Sequence, residues 1–182
     1  MFLADIHRCN YDKDIAPFIK NGVIIDTSVI KKIIDGLIET KITKRESPEL
    51  DKILSFLDLI KLSGKWESFF ITPHILTEVC RHLRDDYAKP WGNDFYKAVE
   101  TALPILKAMD EKTVSKCNFL EQIDKKKPVI EAGDISIFVT TNNFIAKKEK
   151  IAILVDDRRI KKIYEYHPHV MIMDYQSVML NA

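Results

Sequence analysis

Five acidic residues stand where the surrounding chain gives them a special context. Asp26 ends the apolar run "VII" and is followed by Thr27 and Ser28. Glu78 lies in the middle of "TPHILTEVCRHL", Asp134 lies in "EAGDISIF", and Asp156 and Asp157 close the run "IAILV". Aspartates at the carboxyl ends of buried strands fall where open α/β sheets place their active sites. Carboxylates that converge on one place repel, and a divalent cation is their shared solution. Hard oxygen ligands select Mg²⁺ or Mn²⁺ over zinc. Such an ion activates a water and stabilises charge on a phosphodiester. The chemistry to expect is hydrolysis of a phosphate ester.

Each residue also has a plainer role open to it. Asp26, or one of Asp156 and Asp157, is well placed to cap the helix that follows. Glu78 has Arg81 and His82 one helical turn on and Arg84 in the next turn, enough for an ordinary surface pair. Asp134 is harder to explain. On a helical wheel it projects with Ile137 and Phe138, and no basic residue lies three or four places away in its helix. A buried, unpaired carboxylate costs several kcal/mol, so a bound cation is the expected partner.

The elements that position these residues are legible from hydrophobic period and punctuation. Residues 23–25, 68–71, 151–155 and 170–173 are short continuous apolar runs, as in strands buried on both faces. Helical spacing follows from Ser28, with Val29, Ile30, Ile33, Ile34, Leu37 and Ile38. Ser47-Pro48 and Thr72-Pro73 each offer an N-cap with proline at the first helical position. They predict helices over 48–63 and 73–87, with the polar "TKITKRES" as a loop before the first. A long helix is expected over 93–112, kinked or divided at Pro104. "SKCNFLEQIDKKKPVI" holds either a short strand or a loop. Helices are expected over 131–145 and 157–166. Alternation of strand and helix makes this an α/β chain with a mainly parallel sheet. Residues 1–21 are expected to pack on the domain as an N-terminal extension, with 22–182 as the domain itself.

Composition bounds the rest. The chain has 182 residues, 46% hydrophobic and 30% charged, as expected of one soluble globular domain. Its 28 basic and 27 acidic residues nearly cancel, so any affinity for nucleic acid must come from local patches. Three scattered cysteines, Cys9, Cys80 and Cys117, give no CxxC pair and suggest a reducing cytoplasm. Asp5, His7, Arg8 and Asp12 exclude a signal-peptide core. No apolar run approaches the ~20 residues needed to span a bilayer.

Taken in order, "VIIDTSVI", "ITPHILTEV", "EAGDISIF" and "ILVDDRRI" resemble the PIN-domain nucleases. The resemblance covers about residues 22–174. It implies a three-layer α/β/α sandwich with a central, mainly parallel sheet, and a Mg²⁺- or Mn²⁺-dependent ribonuclease with Asp26, Glu78, Asp134 and Asp157 as catalytic metal ligands. Asp157 is taken over Asp156 because it directly precedes Arg158, with Asp156 as the alternative ligand. Thr27 and Ser28 would support the site. The family includes VapC-type toxins, so an antitoxin partner and a homodimer are expected partners beside RNA. The chain departs from the compact toxins in its N-terminal extension, its long 40–64 excursion and the Asp at 156.

Arg158, Arg159, Lys161 and Lys162 form the basic cluster nearest the acidic pair and are expected to contact the phosphate backbone. The alternative to a nuclease is a non-catalytic PIN-like scaffold or RNA-binding module. A phosphatase of the type with paired aspartates two places apart would need an acid where Ser28 stands. A phosphate-accepting receiver domain would need its acidic pair early in the chain. A dinucleotide-binding domain would need a glycine-rich turn after the first strand, and none exists.

Overall fold

The computed structural model describes residues 2–3, 9–87, 93–125, 131–156 and 158–179. Four strands are buried along their whole length: β2 (Val23–Ile25), β3 (Phe69–Ile71), β5 (Ile151–Leu154) and β6 (Val170–Met173). Their continuous apolar sequence follows from burial on both faces. Two-residue strands close the edges, β1 (Phe2–Leu3) beside β6 and β4 (Asp110–Glu111) beside β3. The sheet order is β1-β6-β5-β2-β3-β4, and every pair is parallel. Helices flank it in a three-layer α/β/α arrangement. Among the described residues no helix is long and apolar enough to cross a membrane.

A short helix α1 (Ala16–Ile19) leads into β2. The segment after β2 forms α2 (Thr27–Ile38), which buries Val29, Ile30, Ile33, Ile34 and Ile38. It packs on α3 (Pro48–Leu59) so closely at Gly36 that an added Cβ would stand 2.5 Å from Leu50 Cβ. The polar stretch between them is not wholly a loop, since residues 39–43 form one wide helical turn. After β3, α4 (Pro73–Tyr87) starts where the sequence places it, with Thr72 Oγ1 accepting the Ile75 N–H at 3.3 Å.

Two expectations need correction. The helix α5 (Asn93–Ala108) ends four residues before the expected 112, ahead of β4, and is not divided at Pro104. Pro104 is exposed, so the carbonyl that loses its hydrogen bond can be solvated instead. The ambiguous stretch after Ser115 holds neither strand nor loop in its described part but a helix, α6 (Lys116–Lys125).

The chain then enters α7 (Ala132–Ala146), in which every residue from Gly133 to Thr141 is buried. A helix apolar on all sides belongs inside a fold. Asp134 is therefore buried with the whole of its turn, not merely along one stripe. The short helices α8 (Arg158–Tyr164) and α9 (Tyr175–Met179) follow β5 and β6.

Candidate active site at the carboxyl edge of the sheet

From β2 the chain winds outward through β3 to β4, then returns to the other side of β2 for β5 and β6. The sheet's topological switch therefore lies between β2 and β5, the position where doubly wound sheets open a crevice at the carboxyl ends of their strands. Asp26 directly follows β2, and its N–H continues the ladder by donating to the Leu154 carbonyl at 3.0 Å. It is buried, 5% exposed. Although Asp26 holds the N-cap position of α2, its carboxylate makes no capping bond there and accepts the Ser28 hydroxyl. Its backbone carbonyl receives the Val29 and Ile30 N–H groups. The helix start thus uses the main chain of Asp26 and turns its side chain to another use.

Glu78 is tied in next. Thr27 Oγ1 donates to Glu78 Oε2 at 2.7 Å, and the Gly133 N–H donates to Glu78 Oε1 at 2.9 Å. One carboxylate on α4 thereby bridges the first residue of α2 and the first turn of α7. The surface pairs open to Glu78 in the sequence are taken differently: His82 faces Asp35 at 2.8 Å and Asp86 at 2.6 Å, and Arg84 pairs with Asp85. Gly133 is required by the approach, because a Cβ there would meet Glu78 Oε2 at 2.6 Å. Further support comes from Thr72 at the end of β3. Its hydroxyl lies 2.7 Å from Ser136 Oγ, which donates to the Gly133 carbonyl.

Asp134 follows Gly133 directly and is 6% exposed. It does have a cationic partner, from another element: Arg159 Nη2 on α8 stands 3.5 Å from Asp134 Oδ2. The Arg159 side chain is half exposed, so the pair lies at the boundary between core and solvent. Asp157 falls outside the described residues, as does the side chain of Arg158. Of the remaining basic cluster, Lys161 is committed to Asp174 at 2.6 Å in a largely buried pair, and Lys162 is exposed. Asp174 also accepts the Gln176 N–H and so caps α9.

Asp156 belongs to a network that sequence reasoning missed. Lys32 of α2 donates to Asp156, to Glu49 of α3 at 3.1 Å and to Tyr175 Oη of α9 at 3.0 Å. Tyr175 in turn donates to Glu49, and Gln176 Nε2 reaches Asp156 at 3.3 Å. Burial alone would lower the Lys32 pKa, but its hydrogen bonds to Asp156, Tyr175 and Glu49 outweigh it and hold the ammonium above lysine's ordinary range. The Tyr175 hydrogen bond, with help from Lys32 and against burial, holds Glu49 below its ordinary value. The one sequence signal for this network is that Lys32 lies one helical turn beyond Ser28.

A groove of about 290 Å³ opens against Thr27 and Glu78, with Lys31, Arg81 and Glu131 on its walls. A roomier cavity of about 380 Å³, beside Phe70, Lys112 and Asn143, contains none of the candidate acids. Among the described residues no three His, Cys, Asp or Glu side chains stand close enough to hold a metal ion as they are. The donor chemistry of these residues nevertheless suits a hard divalent cation: Asp26 after β2, Glu78 within α4 and Asp134 in the first turn of α7 offer carboxylate oxygen only.

No family model matches the chain, and no curated protein matches it. What the chain does must be argued from its own geometry.

Proposed function

We propose that this protein is a divalent-metal-dependent ribonuclease of the PIN type, hydrolysing phosphodiester bonds at the carboxyl edge of its sheet. One observation carries the reading: Glu78 is hydrogen-bonded to Thr27 and to Gly133, the chain neighbours of Asp26 and Asp134, at the carboxyl edge of the sheet. Asp26, Glu78 and Asp134 would hold Mg²⁺ or Mn²⁺, with Asp157 as the fourth acid the sequence supplies. When bound, the ion would supply charge stabilisation and an activated water.

The chain's own residues do the positioning. Ser28 orients the Asp26 carboxylate, and the Thr27 hydroxyl with the Gly133 N–H fixes both oxygens of Glu78. Arg159, half exposed beside Asp134, is placed to meet a phosphate that approaches the edge. The groove beside Glu78 holds Lys31 and Arg81 among the acids Glu78, Asp85, Asp86 and Glu131, so phosphate contact there would rest on those two cations together with a bound divalent ion. In this reading the protein works in the cytoplasm, as a toxin with a cognate antitoxin or as an RNA-processing nuclease, and forms homodimers.

The test is cleavage of a labelled single-stranded RNA with Mn²⁺ or Mg²⁺ and with chelator. Wild type should cleave only with metal, while Asp26→Asn, Glu78→Gln and Asp134→Asn should each lose at least a hundredfold in rate. Cleavage that persists in chelator, or in all three variants, defeats the proposal. A second reading, a non-catalytic RNA-binding or scaffold domain, draws on the absence of three clustered ligands among the described residues. It predicts RNA binding with no heat of Mn²⁺ binding in calorimetry.

A further inference from the structure

The network around Lys32 is built like a small cation site whose occupant is part of the chain. A lysine ammonium has three N–H donors and no acceptor. Here all three find oxygen: Glu49 Oε1 at 3.1 Å, Tyr175 Oη at 3.0 Å and a carboxylate oxygen of Asp156. The three oxygens come from α3, α9 and the segment after β5, and the nitrogen from α2. Gln176 Nε2 closes the ring, 3.3 Å from Asp156 and 3.4 Å from Glu49. Two carboxylates that reach one nitrogen would repel each other without it. Oxygens arranged this way are also what Mg²⁺ and Mn²⁺ take as ligands. Asp156 stands two places beyond the last residue of β5, at the same switch point as Asp26.

We propose that Lys32 is a resident cation that holds Asp156 and Glu49 for itself, so that neither serves as a ligand of a divalent ion. The inference rests on the nuclease reading for its importance, since it sets which acids at this edge are open to metal. It adds Lys32 as a positioning residue. The ammonium shares its one positive charge between Asp156 and Glu49 and pins the turn after β5 against α2.

Manganese titration by calorimetry, with circular dichroism to verify folding, tests this on wild type, Lys32→Met, Lys32→Arg, Asp156→Asn and Lys32→Met/Asp156→Asn. Lys32→Met should take up an additional equivalent of Mn²⁺, or bind it about tenfold more tightly, because its place is now vacant and its oxygens remain. The double variant should lose that gain. Lys32→Arg, which keeps the charge, should behave as wild type does, and Asp156→Asn should leave wild-type Mn²⁺ affinity within about threefold. If Lys32→Met unfolds without metal, Mn²⁺ should restore its fold. Wild-type stoichiometry and affinity in a folded Lys32→Met overturn the inference, as does an unfolded Lys32→Met that Mn²⁺ fails to restore. So does a tenfold loss of Mn²⁺ affinity in Asp156→Asn, which would make Asp156 a ligand already. Wild type that takes up no Mn²⁺ sinks the nuclease reading alone, because the gain in Lys32→Met is then still expected.

Discussion

The N–H of Gly133 donates to Glu78 Oε1 at 2.9 Å, so the helix that carries Asp134 begins on the carboxylate of a different helix. Negative charge at a helix N-terminus is favourable in itself. A carboxylate used this way is held in orientation by the fold. Replacing Gly133 by alanine tests the contact sharply. The new Cβ would meet Glu78 Oε2 at 2.6 Å and Cδ at 3.1 Å, the far end of a flexible side chain. Glu78 should swing aside, and the better helix propensity of alanine, about 1 kcal/mol, should offset much of the strain. The expected outcome is a melting temperature within a few degrees of wild type with metal-dependent cleavage down at least tenfold. A fall in stability with cleavage intact would mean that the orientation of Glu78 does not matter.

Thr27→Val removes the hydroxyl that donates to Glu78 Oε2 at 2.7 Å and keeps the side chain's shape. The cost in stability should be about 1 kcal/mol, read from urea midpoints. Cleavage should fall about tenfold, and Thr27→Ser should recover most of it. Equal loss in both variants would assign the effect to packing of the methyl group.

Asp134→Asn should abolish metal-dependent cleavage. In chelator its melting temperature should change little, because the Asp134–Arg159 pair is 3.5 Å long with the arginine half exposed and asparagine keeps the shape of the side chain while removing a buried charge. Arg159→Ala should leave folding intact while weakening binding to RNA. A large drop in melting temperature for Asp134→Asn in chelator, with cleavage preserved, would make the carboxylate structural.

Acid should loosen the fold partly through Glu49. Its pKa is held below the ordinary 4.5 by Tyr175 and then Lys32. The unfolded chain therefore binds this proton more readily than the folded one, and the contribution is present above about pH 4.5 and lost as pH falls through the folded value. At the other end Lys32 and Tyr175 are raised, so their contribution is present in neutral solution and lost as pH rises above about 10. Urea midpoints across pH should show a plateau between these limits, with a shallower acid limb in Glu49→Gln. Superimposable acid limbs would contradict the assignment.

Gly36→Ala probes the α2–α3 contact. Its Cβ would stand 2.5 Å from Leu50 Cβ and 2.8 Å from Ser47 Oγ. A Cβ is fixed to its backbone, so the two helices must separate, at a cost of about 1–3 kcal/mol. A denaturation midpoint equal to wild type would show that the helices part freely.

The strands β2 and β5, the start of α4 at Thr72-Pro73 and the order of the acidic positions could all be read from the chain, because each depends on neighbours within one element. Apolar runs, caps and helical spacing are local properties, and they were enough to place Asp26 after a buried strand. The helix α6 was hidden, because its exposed Leu120 and Ile123 and its lysines gave no clear period. What the carboxylates touch was decided in three dimensions. A helical wheel shows no basic residue one turn from Asp134 in its own helix; the pairing Arg159 comes from α8. Lys32 meets Asp156 over 124 residues and Tyr175 over 143, and Lys161 is turned to Asp174 rather than outward. Charge pairing between elements depends on which strands lie side by side, and local sequence carries no record of that order.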